Sequence, residues 1–63
     1  MNRDFTIFQR GRLVASLKVE PSPRGGFKVV GIRKGPEKLG ELVGRIFAPR
    51  ALHGLTLARI ARS

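Results

Sequence analysis

The side chains with chemical capacity in this sequence are mostly cations. Thirteen Lys and Arg residues stand against four Asp and Glu residues in a chain of 63, which gives a formal net charge of +9. The long-range positive electric field of such a chain attracts polyanions before any shape complementarity acts. The sequence therefore predicts a polyanionic partner, either a nucleic acid or an acidic protein surface.

Catalytic chemistry is disfavoured by the same set of residues. His53 is the single imidazole, and its spacing from Ser16, Ser22 and Asp4 gives no indication of a hydrolase triad. The carboxylates are scattered, whereas a metal-dependent nuclease needs them clustered. A thiolate zinc site is excluded because the chain has no Cys. We therefore expect no enzyme activity, no metal and no cofactor.

The length predicts one small domain over residues 1–63. A chain of this size buries only about 60% of the surface that it exposes when unfolded. No disulfide can add stability, so homodimerisation is one route by which the chain would gain it. The sequence shows neither a signal peptide nor a membrane-spanning run, and we expect a cytoplasmic protein with no membrane partner.

Alternation of apolar and polar residues predicts a three-stranded antiparallel meander over residues 4–34. Its strands are expected at 4–10, 12–20 and 27–34. The middle strand alternates most regularly, and one of its faces carries Leu13, Ala15, Leu17 and Val19. Arg10-Gly11 is predicted to form a tight hairpin turn, because Gly readily takes the positive φ that such a turn requires.

A helix is predicted over residues 36–48, with Pro36 at or near its first position. Its apolar residues recur at the spacing of one buried stripe: Leu39, Leu42, Val43, Ile46 and Phe47. Residues 50–63 are expected to form a short C-terminal element, helix or strand, with helix favoured by the Ala and Arg content. The predicted fold class is α+β, a three-stranded antiparallel β-meander packed against one amphipathic helix, with this short element at the end.

Packing of the helix against Leu13 and Leu17 would leave the second sheet face exposed, with Arg12 and Lys18 directed outward. The candidate nucleic-acid-binding residues are seven cations and one aromatic residue: Arg10, Arg12, Lys18, Arg24, Lys28, Arg33, Lys34 and Phe8. Cations in such a set contact phosphates, and an exposed ring stacks on a base. The alternative is an ordinary solvated face with Phe8 in the core.

The order of three strands followed by a helix, over residues 4–48, resembles that of the arm-binding domains of phage-type integrases. Those domains place a three-stranded sheet in the major groove of DNA. The resemblance lies in element order and includes no residue signature, so it is an analogy of fold and does not assign a family. It implies a sheet that contacts duplex DNA.

Two functions are predicted from these observations. The first is nucleic-acid binding, with DNA favoured over RNA, by an exposed basic sheet face and its loops. The alternative is a small inhibitor or adaptor, of the kind that mobile elements encode, that docks on an acidic surface of a host protein. Positive charge would steer association in both cases.

Overall fold

A four-stranded antiparallel sheet and one α-helix are found in residues 2–62, which are the residues that the computed structural model describes. The elements in chain order are β1 (Arg3–Gln9), β2 (Arg12–Pro21), β3 (Phe27–Lys34), a 3₁₀-helix (Glu37–Leu42), β4 (Ile46–Phe47) and α1 (Pro49–Ala61). The strands lie in the order β1-β2-β3-β4. The predicted α+β class, a meander packed with a helix, is confirmed.

The first hairpin turns within two residues. Arg10 and Gly11 have φ values of 53° and 77°. Positive φ at both central residues is the signature of a type I′ turn, whose twist matches that of the flanking strands. Arg10 therefore belongs to the turn, and β1 ends at Gln9 rather than at residue 10.

The core lies between one face of the sheet and the helical layer. The sheet contributes five buried residues and the helices contribute three: Ile7, Ala15, Leu17, Val19, Val29, Leu39, Leu42 and Leu52. Thr56 of α1 is also fully buried, and its Oγ1 donates a hydrogen bond to the carbonyl oxygen of Leu52 at 2.7 Å. That bond removes the cost of burying an unpaired hydroxyl.

The helix predicted over residues 36–48 is wrong in its extent. Only Glu37–Leu42 are helical, as a 3₁₀-helix, and Val43 is already extended. Gly44 has a φ of 88° and donates a backbone hydrogen bond to the carbonyl of Val29 at 2.7 Å, so the chain turns back onto the sheet. The residues at 46 and 47 then pair with β3 instead of continuing a helix.

The longer helix is α1, in the segment whose conformation the sequence left open. Pro49 occupies its first turn, and the backbone N–H of Leu52 bonds to the carbonyl of Ala48 at 2.9 Å. The helical alternative for this segment is therefore the one found, and Ser63, the last residue of the predicted element, lies outside the described residues. No helix in residues 2–62 is long and apolar enough to cross a membrane.

A β-bulge in β2 changes which side chains share a face. Ile7 pairs with Ala15 but Phe8 pairs with Leu13, so Val14 has no partner in the ladder. Val14 packs against the core. Because paired residues share a face, Leu13 joins Phe8 on the side away from the core and Arg12 turns to the side of its partner Gln9. The prediction of Leu13 inward and Arg12 outward is wrong for this reason.

Candidate nucleic-acid interface

The sheet face turned away from the core is called the outer face here. Cross-strand pairing aligns three rows on it: Thr6, Ser16 and Lys34; Asp4, Lys18 and Gly31; Glu20 and Lys28. The bulge adds the pair Phe8 and Leu13 at the hairpin end. The structure therefore brings Lys18, Lys28 and Lys34 onto one face.

Arg33 reaches across this face to β1. The pairing of β3 shifts between Ile32 and Lys34, which leaves Arg33 at an irregular position without a ladder partner. Its Nε lies 2.7 Å from Oδ1 of Asp4, and both side chains remain about half exposed. An exposed pair of this kind adds little stability. Its effect is to hold the guanidinium over the outer face.

The electrostatics of the outer face are less positive than the sequence predicts. Asp4 accepts from Arg33, and Glu20 stands directly opposite Lys28. Lys34 differs, because its cross-strand partner Ser16 is uncharged. The local excess of positive charge therefore lies toward Lys34, at the end of the sheet where β3 finishes.

That end of the sheet also carries the first hairpin. β3 runs antiparallel to β2, so Lys34 and the turn at Arg10 lie at the same end. Residues 8–12 are all exposed, and Phe8 has 58% of its surface accessible. The alternative that buries Phe8 in the core is therefore wrong. An exposed aromatic ring lies at the same end as Arg10, Arg12 and Lys34.

Arg24 and Lys28 lie toward the other end of β3. Arg24 is exposed in the loop between β2 and β3, at the opposite end of the sheet, where its backbone N–H donates to Ser22 Oγ at 3.3 Å. Lys28 is the second residue of β3 and pairs with Ile46 of β4. The eight predicted residues therefore fall into three sets: Phe8, Arg10, Arg12 and Lys34 toward the hairpin end, Lys18 and Arg33 beside Asp4 near the start of β1, and Arg24 and Lys28 toward the β2–β3 loop.

Sequence reasoning missed the roles of two charged residues: Asp4 on the outer face, and Arg45 beside Phe47, whose ring packs against the core. Asp4 orients Arg33, which only the strand register reveals. Arg45 places its guanidinium carbon 5.9 Å from the centre of the Phe47 ring, within cation–π range. The Arg45-x-Phe47 spacing is the signal that would have found this pair, because residues two apart on a strand lie on the same side.

Comparison of the chain with protein-family models, with curated proteins and with solved structures found no match to any of them. Within residues 2–62, no three His, Asp or Glu side chains come together as a metal site would require.

Proposed function

We propose that the protein binds nucleic acid, and DNA in preference to RNA, through the hairpin end and outer face of its sheet. The observation that supports this most is the exposure of residues 8–12, with Phe8 uncovered on the same face as Lys34. A phenylalanine ring that is exposed beside cations can stack on a nucleic-acid base or make apolar contact with it.

The shape of the hairpin favours duplex DNA. Strands β1 and β2 form a two-stranded ribbon whose exposed tip carries Arg10. The major groove of B-DNA is about 12 Å wide and admits such a ribbon, whereas the major groove of A-form RNA is too narrow for side chains to enter.

Each group has a defined task in this arrangement. Arg10 and Arg12 at the tip reach base edges, where Arg pairs with guanine N7 and O6. Phe8 makes apolar contact with a thymine methyl or stacks on an unpaired base. Lys18, Arg33 and Lys34 contact phosphates on the flanking backbone, and the outlying Arg24 and Lys28 extend these contacts on a longer duplex.

Two double variants with equal loss of charge test the proposal. Arg10→Ala/Arg12→Ala should lower affinity for a duplex with 5′-hydroxyl ends by at least about tenfold at about 50 mM salt. The control Arg50→Ala/Arg62→Ala removes the same charge from α1 and its C-cap and should lower this affinity far less. Fluorescence anisotropy, with single-stranded RNA of the same length as a second probe, measures both.

Three results would contradict the proposal. Equal losses in the two double variants would mean that total charge, and not the hairpin, sets affinity. Tighter binding of the RNA would reverse the preference for DNA. Absence of binding to either nucleic acid at about 50 mM salt would favour the alternative partner, an acidic surface on a host protein, since the same charge steers that association.

The homodimer that the small core favours stays a prediction. Sedimentation velocity of the protein without nucleic acid tests it directly. A mass of 6.9 kDa that persists at high protein concentration would identify the monomer and contradict the dimer.

A further inference from the structure

A groove in the helical layer gathers cations away from the outer face of the sheet. It has a volume of about 220 Å³ and is lined by Lys38 of the 3₁₀-helix, by Leu55, Ala58 and Arg59 of α1, and by Arg62, the residue that follows α1. Leu55 is 39% exposed, so the groove offers an apolar wall as well as charge. Such a combination suits a small ligand with an anionic head and a carbon skeleton.

One of the three cations is already paired. Arg59 donates from a terminal guanidinium nitrogen to Oε2 of Glu41, which fixes the Arg59 side chain. Its Nε is buried and has no hydrogen-bond partner in the structure. That nitrogen is closed to a ligand, so Arg59 offers the groove only the guanidinium atoms that remain exposed.

The other two cations are available to a ligand. Lys38 and Arg62 form no ion pair and no side-chain hydrogen bond with any residue in 2–62. They approach the groove from different elements, so that donors surround it on more than one side. Two cations beyond the Arg59–Glu41 pair correspond to a ligand that carries about two negative charges.

We propose that this groove binds a phosphate monoester. A monoester carries a charge of about −1.5 to −2 at pH 7 and has three terminal oxygens, which matches donors on Lys38, Arg59 and Arg62. A carboxylate or a phosphodiester offers one charge and two such oxygens. The organic part of the ester lies against Leu55 and Ala58. The phosphate monoester is either a free nucleotide or the terminal phosphate of a nucleic-acid strand.

The groove does not depend on the proposed nucleic-acid interface, because its lining comes from the 3₁₀-helix, α1 and the C-cap of α1. The decisive experiment is an NMR titration of the labelled protein that follows backbone amides. The probes are a nucleoside 5′-monophosphate with its parent nucleoside, and a short oligonucleotide with either a 5′-phosphate or a 5′-hydroxyl end. The phosphorylated member of each pair should shift the amides of the groove residues, and the other member should not.

The variants form a matched pair at the two ends of α1. Arg62→Ala should weaken monophosphate binding about tenfold, the loss expected for one charge-assisted hydrogen bond. Arg50→Ala removes the same charge from an exposed position of α1 outside the groove and should change it less than about twofold. Lys38→Ala, on the 3₁₀-helix side of the groove, should weaken monophosphate binding by a similar factor. It provides an independent test from a second element.

The outcomes separate the two sources and leave the proposal open to refutation. Shifts with the nucleoside monophosphate identify a free nucleotide, and shifts with the 5′-phosphorylated strand alone identify a strand end. Absence of groove shifts with both overturns the proposal, as does an equal effect of Arg50→Ala and Arg62→Ala. The variant Arg10→Ala/Arg12→Ala, which leaves the groove intact, should retain these shifts even if duplex binding is lost.

Discussion

At the scale of single residues, Gly26 is the position where backbone conformation and packing act together. Its φ is 76°, and a Cβ added there would lie 2.5 Å from the carbonyl oxygen of Phe47. The neighbouring Gly25 also has positive φ, at 96°, but a Cβ there would meet nothing within 4 Å. Substitution of Gly25 therefore tests backbone strain alone, whereas substitution of Gly26 tests backbone strain together with a steric clash.

Substitution of these glycines should destabilise the fold to different degrees. Gly25→Ala should cost about 1–2 kcal/mol, the strain of a left-handed conformation. Gly26→Ala should cost about 1–3 kcal/mol more, because β4 must move to admit the methyl group. Urea denaturation followed by circular dichroism gives both values, and equal losses would show that β4 does not lie against this loop.

Asp4 is the residue that most limits the positive charge of the outer face. Asp4→Asn should raise duplex DNA affinity several-fold, because it removes a carboxylate that repels phosphates, and should change stability by less than about 1 kcal/mol. Glu37→Gln makes the same charge change on the 3₁₀-helix and serves as the control. Anisotropy titrations that show equal gains for both variants would assign the effect to total charge.

At the scale of elements, the three strands of the meander and the C-terminal helix could be predicted, whereas the 3₁₀-helix and β4 could not. Alternation in residues 12–20 follows directly from the two faces of a half-buried strand. The apolar spacing from Leu39 to Phe47 suggested one helix, but the buried pair Leu39 and Leu42 fits a single 3₁₀-helix as well, where residues three apart are aligned. Nothing in that spacing shows that Gly44 turns the chain.

The candidate site was predictable in composition and only partly in geometry. The cations of the outer face follow from strand parity, as Lys18 and Lys28 show. A single unpaired residue, Val14, reverses that parity for Leu13 and Arg12. The position of this bulge depends on how the two strands pair and cannot be inferred from the composition of either strand. The orientation of Arg12 was predicted wrongly for this reason.

Because α1 is a helix, one substitution within it should increase the stability of the protein rather than decrease it. Gly54 lies in its interior, and a Cβ there would meet nothing within 4 Å. Gly54→Ala should therefore stabilise the protein by about 0.5–1 kcal/mol through helix propensity alone. Thermal or urea denaturation beside Gly25→Ala, which has the opposite expected sign, measures this. A destabilised Gly54→Ala variant would contradict an open helical environment at this position.

At the scale of the whole molecule, a net charge of +9 acts on folding as well as on binding. Only two ion pairs, Arg33–Asp4 and Arg59–Glu41, are formed in residues 2–62, so repulsion among the remaining cations is largely uncompensated. Such repulsion destabilises a compact state and is screened by salt.

Added salt should therefore move stability and binding in opposite directions. Raising NaCl from about 20 to about 200 mM should increase the urea midpoint, because the Debye length falls below the spacing of distant cations. The same change should lower DNA affinity steeply. Potassium fluoride as a second salt controls for chloride binding. A midpoint that falls with salt would show that attractive pairs dominate the fold.

The position of α1 after the sheet in chain order has a consequence for synthesis. The sheet is complete by residue 47, but Leu52 and Thr56, which close the core, are translated later. A nascent chain that stops short of Pro49 carries Ile7, Leu17 and Val29 on an uncovered face, next to the unpaired edge of β1. Exposed apolar surface beside an open strand edge is the combination that drives aggregation. Residues 49–61, which are translated after the sheet, are thus the segment that covers this apolar face.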